Sequence, residues 1–260
     1  PSRKGHPMTA TFRNWLLPLL VLPLSLPAPA APAKPLPAPL RALEQQGYEI
    51  LNRFAAPGGM TGYAALYLGR PQTIYLTADG KQAIVGAMLD GKGQAWDQAG
   101  LDKQFSQALW QQLEGSFWIA DGDSKAPRVL YAFTDPNCPY CNKFWNDARP
   151  WVNAGKVQIR HIMVGIIKPD SPGKAAAILG DRDPAAAFDR HERQHASGGV
   201  KPLVAIPPAI QAKLDSNHRL MERFGAFATP MIFFKDDKGK MQKVQGAPPA
   251  SSLRQILGPR

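Results

Sequence analysis

The stretch Asn137-Cys138-Pro139-Tyr140-Cys141 limits what this chain can fold into more than any other. It joins a strand-like apolar run, Arg128-Val129-Leu130-Tyr131-Ala132-Phe133, to an aromatic-rich helical run through Phe144, Trp145 and Arg149. Cys138 and Cys141 are the only cysteines in 260 residues. Two cysteines separated by two residues close a small disulfide ring with little backbone movement. If the first opens a helix, its sulfur faces unpaired N–H groups and the positive end of the helix dipole, which favours the thiolate. The thiolate is the species that attacks disulfides. Asn137 is the expected N-cap, and Pro139 stands where proline starts a helix well. Pro150 should kink that helix and Gly155 close it. Taken alone, the pair reads as a redox dithiol, as half of a zinc site or as an inert structural disulfide.

Export narrows these readings. Arg3, Lys4 and Arg13 precede the apolar run Trp15-Leu16-Leu17-Pro18-Leu19-Leu20-Val21-Leu22-Pro23-Leu24, and Pro27-Ala28-Pro29-Ala30-Ala31-Pro32-Ala33 follows it. A basic region, a short apolar core and small residues at A-x-A spacing make a signal peptide, cleaved after Ala30 or Ala33. The run is too short and too rich in proline to span a membrane. Met8 reads as the initiator, and residues 1–33 are assigned to the signal peptide and upstream residues. An oxidising compartment permits disulfides, but a disulfide framework uses many scattered cysteines, and a ring this short staples almost nothing. Chemistry is the favoured reading. The formal charge of +11 falls to +8 when Arg3, Lys4 and Arg13 leave with the signal. There is no clustered Lys/Arg run and no nucleic-acid motif, so the basic surface reads as solvated, with no nucleic-acid partner.

Residues 34–100 predict a small α+β unit. Lys34-Pro35-Leu36-Pro37-Ala38-Pro39 is a stiff leader, and Leu40, Leu43, Ile50, Leu51 and Phe54 fit a short helix followed by a strand. Residues 63–68, 73–77 and 82–89 are β-rich, with a hairpin signal at Asp79-Gly80. No catalytic constellation lies here. A core this small is marginal and its strands leave edges to cover, so dimerisation is the expected role. Residues 101–120 predict a linker helix, with Leu101, Phe105, Leu109, Leu113 and Phe117 at i, i+4 spacing and Trp110 beside them. Asp121-Gly122-Asp123-Ser124-Lys125-Ala126-Pro127 breaks the chain, and residues 121–260 form the expected catalytic domain. There, strand, C-x-x-C helix and a second strand at residues 157–165 suggest a thioredoxin-like α/β unit. Helices at 171–180, 184–195 and 207–224 form an insertion before a β-rich end at 231–245 and a last helix at 250–257.

Asp135-Pro136-Asn137-Cys138-Pro139-Tyr140-Cys141, Phe144-Trp145, Ala148-Arg149-Pro150-Trp151-Val152 and Thr229-Pro230 resemble the periplasmic Dsb disulfide isomerase family, and its DsbG branch most closely. Ala56-Pro57-Gly58-Gly59-Met60, Ile74-Tyr75-Leu76-Thr77 and Val164-Gly165-Ile166-Ile167-Lys168-Pro169 extend the likeness across the mature chain. The resemblance implies a V-shaped homodimer in the periplasm. Each chain would hold a cystatin-like dimerisation domain, a linker helix and a thioredoxin-like domain with a helical insertion, α+β overall. It implies a protein disulfide reductase or isomerase that also reduces sulfenylated cysteines and holds partly folded clients, without a cofactor. It makes Pro230 a cis-proline facing the cysteines, with the Thr229 backbone left to pair with an extended substrate strand. Cys138, at an exposed helix start, would attack, and Cys141, more buried and less acidic, would resolve. Pro139 and Tyr140 would tune the thiolate. A membrane-borne, DsbD-like thiol reductase would keep the pair reduced.

One further motif competes. His191-Glu192-Arg193-Gln194-His195 fits H-E-x-x-H, but Lys201 stands where a longer zinc signature places a third histidine, and the flanking residues are charged. The expectation is an exposed polar helix face and no metal. A zinc knuckle of the C-x-x-C with His191 and His195 is disfavoured by the 50 positions between Cys141 and His191. The alternative from another class is a non-enzymatic exported chaperone with a merely structural disulfide.

Overall fold

The computed structural model describes residues 35–259 together with Ser2 and Gly5. Apart from those two residues, the signal-peptide assignment lies outside the described residues.

The first unit is a four-stranded antiparallel sheet in the order β1 (Tyr48–Ala55), β2 (Thr61–Tyr67), β3 (Arg70–Leu76), β4 (Ala83–Val85). Helix α1 (Ala38–Gln45) packs on one face, where Leu40, Tyr63, Ala65, Ile74 and Leu76 form a closed core. The period of two along β2 and β3 puts these side chains on that face. Strand β4 is a sheet edge, and Ile84 and Val85 on it and Leu89 just beyond are exposed.

Helix α2 (Gln98–Glu114) follows, with the Asp97 side chain accepting from the Gly100 N–H at its start. Trp110 and Leu113 are buried, whereas Phe117 is exposed. The predicted helix to residue 120 therefore ends early. The fifth member of the i, i+4 series, Phe117, lies beyond the end of the helix, so helical spacing does not govern where it points. Gly115 ends the helix, and Trp118–Asp121 becomes a strand instead, β5.

The second sheet has the order β5, β7 (Val157–Met163), β6 (Arg128–Thr134), β8 (Met231–Lys235), β9 (Met241–Gln245). Only β6 and β7 run parallel, and helix α3 (Pro139–Val152) connects them. Alternation along β6 sends Leu130 and Ala132 to a core shared with α3 and α7 (Ala250–Leu257). Tyr131 and Phe133 point the other way, onto Trp110, Leu113 and helix α6 (Pro208–Arg223). A third cluster joins Trp145 of α3 to the insertion helices α4 (Ser171–Leu179) and α5 (Pro184–Arg193) through Ala176, Ile178 and Phe188. The architecture is α+β: an antiparallel sheet domain, a connecting helix and an α/β domain carrying a helical insertion. Central strand β6 delivers the chain straight into the cysteine motif.

Candidate active site

Asp135 and Pro136 carry the backbone from β6 to the cysteines at the carboxyl end of the parallel pair. The Asp135 carboxylate is buried and accepts four hydrogen bonds: from the N–H groups of Asn137 (2.8 Å), Ile166 (2.6 Å) and Ile167 (3.0 Å), and from the Ser171 hydroxyl (2.9 Å). That convergence locks the loop before Cys138 to the loop after β7 and to the start of α4.

Cys138 itself caps α3: its sulfur accepts from the Cys141 N–H at 3.2 Å, with Pro139 in the first turn. The expected N-cap, Asn137, is used elsewhere. Its side-chain amide donates to Asp170 and Ser171 and accepts from Lys174, tying the motif to α4. A cysteine takes the capping position because its sulfur reaches the same N–H that an asparagine oxygen would.

Both cysteines are free thiols. Cys138 is only 1 % exposed and Cys141 3 %, so the expectation of an exposed Cys138 does not hold, whereas Cys141 lies deeper within the fold, as expected. The loop before β8 covers the sulfur: Cys138 Sγ donates to the Thr229 carbonyl at 3.3 Å, and the Thr229–Pro230 peptide is cis. What separates the two cysteines is hydrogen bonding at Cys138 and burial at Cys141. Hydrogen bonding from the Cys141 thiol, supported by the N–H groups of Cys141 and Tyr140, holds the Cys138 thiol down at about 6 against its burial. Burial, then the neighbouring Cys138, pushes the Cys141 thiol well above its ordinary range. Tyr140 projects outward and is 62 % exposed. The structure thus brings Cys138, Pro139, Tyr140, Cys141, Thr229 and Pro230 into one constellation.

The H-E-x-x-H helix is not the exposed face that its charged flanks suggested. His191 and Glu192 are buried, at 1 % and 3 % exposure. Both His191 ring nitrogens are engaged by backbone, Nε2 with the Pro136 carbonyl at 2.7 Å and Nδ1 with the Val200 N–H at 3.1 Å. A ring used on both sides offers no lone pair to a metal. Asn142 Nδ2 donates to the Glu192 carbonyl and carboxylate, each at 2.8 Å. The 50 positions between Cys141 and His191 therefore did not keep α5 from the cysteine motif. Asp135, Asn142, His191 and Glu192 lie about the cysteine motif; in sequence His191 and Glu192 stood out only as a disfavoured metal motif, Asp135 only within the family resemblance, and Asn142 not at all.

Behind α3, Arg149 makes a two-pronged ion pair with Asp121, and His161 Nε2 lies 3.5 Å from the same carboxylate. His161 and Arg149 hold Asp121 down at about 2 despite its burial. Arg149 also lies over the Trp145 ring at 4.2 Å, which fixes the inner face of the cysteine helix.

Residues 119–259 match the model of a thioredoxin-like domain. The chain is 48 % identical over 235 residues to the thiol:disulfide interchange protein DsbG of Pseudomonas aeruginosa, covering 89 % of this chain and 92 % of that one. It is 42 % identical over 246 residues to DsbG of Escherichia coli, covering 92 % and 98 %. Among solved structures, the catalytic domain of Proteus mirabilis ScsC superposes with a TM-score of 0.51 at 20 % identity, over 60 % of this chain and 96 % of that one. That likeness concerns the fold.

Proposed function

This chain belongs to the DsbG family of thiol:disulfide interchange proteins, and on that premise we propose that it reduces or isomerises client disulfides, and reduces cysteine sulfenic acids, through Cys138 and Cys141 in the periplasm. The observation that carries the reading is the split between the two thiols: Cys138, at the helix cap, is held at about 6, while Cys141 is pushed well above its ordinary range. Near neutral pH one sulfur is a nucleophile and the other keeps its proton.

The Cys138 thiolate attacks a client disulfide, forming a mixed disulfide and releasing one client sulfur as thiolate. A client thiolate that attacks this intermediate frees Cys138 and leaves a new pairing, which is isomerisation. If Cys141 gives up its proton and attacks Cys138 instead, the client leaves reduced and the pair is oxidised. A client sulfenic acid enters by the same door: Cys138 attacks its sulfur, the S–O bond breaks, the leaving hydroxide takes a proton from solvent to become water, and Cys141 resolves the mixed disulfide. Each net reduction costs the pair two electrons, which a membrane-borne, DsbD-like thiol reductase would return.

Exposed Tyr140, Ile166, Ile167 and Phe227 lie on the motif, on the loop bonded to Asp135 and just before Thr229. They offer apolar surface to a partly folded client. The exposed β4 edge, with Ile84, Val85 and Leu89, suits pairing with a second copy, giving a homodimer. The test is capture. Cys141→Ser should accumulate mixed disulfides with exported proteins, identifiable by mass spectrometry, and Cys138→Ser should not. If neither variant traps a client and Cys138→Ser keeps full insulin-reduction activity, the proposed exchange fails.

A further inference from the structure

His191 and Glu192, adjacent on the last turn of α5, grip the cysteine motif from both ends. His191 bonds the carbonyl of Pro136, two residues before Cys138, and Glu192 bonds the side chain of Asn142, the residue after Cys141. The insertion is therefore fastened to the reacting loop itself. Glu192 is an unusual fastener, because it is a carboxyl at 3 % exposure with no ion pair among the described residues. The nearby guanidinium, Arg149, is already committed to Asp121.

Burial foremost holds Glu192 up at about 7. The groups that bear on it from other elements are Cys138 at the cap of α3, Arg149 within α3 and Asp121 of β5. Charge on Cys138 or Asp121 opposes its ionisation, and Arg149 favours it. On its own element, burial keeps His191 neutral. His195 just beyond is disfavoured as a cation by burial and by Lys174 of α4, so neither supplies a compensating charge. Arg193 is paired with Asp189.

We propose that Glu192 is a positioning residue for the dithiol that also stores a proton: fastened beside Cys141 and repelled by charge on Cys138, it couples reduction of the pair to proton uptake by the insertion helix. When a donor dithiol delivers two electrons, the Cys138–Cys141 bond breaks and the pair becomes a Cys138 thiolate and a Cys141 thiol. One proton goes to Cys141. The new charge on Cys138 draws a further fraction of a proton onto Glu192, and re-oxidation releases both. The inference rests on Cys138 being the exchanging sulfur.

The test is redox equilibrium of the mature protein with reduced and oxidised glutathione across pH, comparing wild type with Glu192→Gln. The glutamine keeps the Asn142 bond and lacks the charge. At about pH 5, where Glu192 is protonated, the two equilibrium constants should agree. At about pH 8.5 the variant should favour the dithiol by roughly tenfold more than wild type, the effect of two like charges about 12 Å apart at an effective dielectric near 20. A difference that is absent, or constant with pH, overturns the proposal. Redox-difference infrared spectroscopy of wild type at neutral pH gives a check that needs no variant. Reduction should strengthen the protonated-carboxyl stretch, and no change in that band overturns the proposal. A protein that equilibrates with glutathione but shows neither effect refutes only the role of Glu192, whereas one that never equilibrates refutes the exchange reading beneath it.

Discussion

Replacing Cys141 by alanine isolates what activates Cys138. The Cys141 thiol is the foremost cause holding Cys138 at about 6 rather than its ordinary 9.0. With a midpoint of 6, about 90 % of Cys138 is thiolate at pH 7, against about 1 % at 9.0. Intrinsic nucleophilicity falls as the thiol becomes more acidic, by roughly twentyfold over this range, so the net gain in attack rate is only about fourfold. A hydrogen bond to a charged group contributes about 1.5–3 kcal/mol. Losing it should move the Cys138 titration up by about one to two pH units. In Cys141→Ala the thiolate fraction at pH 7 then drops to about 10–50 %. Thiolate absorbance and the rate of iodoacetamide alkylation, both followed against pH, measure this directly, since Cys138 is then the sole thiol. A midpoint that stays near 6 would show that the helix-start N–H groups alone stabilise the thiolate, and the assignment of Cys141 as the main donor would be wrong.

Other expectations are more compact. Glu192 has its folded value raised to about 7 from an ordinary 4.5, so the folded state binds the extra proton and loses stability as pH rises between those values. Glu192→Gln should therefore gain on wild type from about zero at pH 4 to about 3 kcal/mol at pH 8 in urea unfolding; a gain that is flat with pH refutes the assignment. At Gly199 the backbone has φ +63°, and an added Cβ would strike the His191 ring. Gly199→Ala should cost about 2 kcal/mol or more in the same assay and displace the Pro136 contact, whereas an unchanged urea midpoint would mean the loop yields freely. Ile84 on the β4 edge is 55 % exposed, and Ile84→Lys should shift the chain toward monomer in sedimentation at micromolar concentration. A wild type that is itself monomeric there refutes the dimer.

The local grammar was legible. The apolar run into Cys138 is β6, the proline after it starts α3, and the helical insertion falls where its spacing put it. The departures came from contacts between distant segments. Cys138 is covered by Thr229, which reaches it from 91 positions away. Asn137 is drawn off capping by α4, 33 to 37 positions on. Glu192 read as exposed because Arg190 and Arg193 flank it, yet a helix has two faces, and the amide of Asn142 compensates part of the cost of turning this one inward. The resemblance supplied Thr229 and Pro230; periodicity alone carried no sign of them.

Helix α2 shares its apolar residues Trp110 and Leu113 with the C-terminal sheet, while the N-terminal sheet closes its own core around Leu40 and Ile74. Polar contacts at the seam stitch that sheet to the remainder: Asn52 to Gln104, and Glu49 to both Gln112 and Arg223. An exposed pair such as Glu49–Arg223 contributes under about 1 kcal/mol, little more than thermal energy. Helix α2 thus carries bonds to both sheets, to Asn52 and Glu49 on one side and to Lys240 and Met241 on the other. From Leu36 onward the chain is accordingly one compact unit, with this helix as the strut between its two sheets.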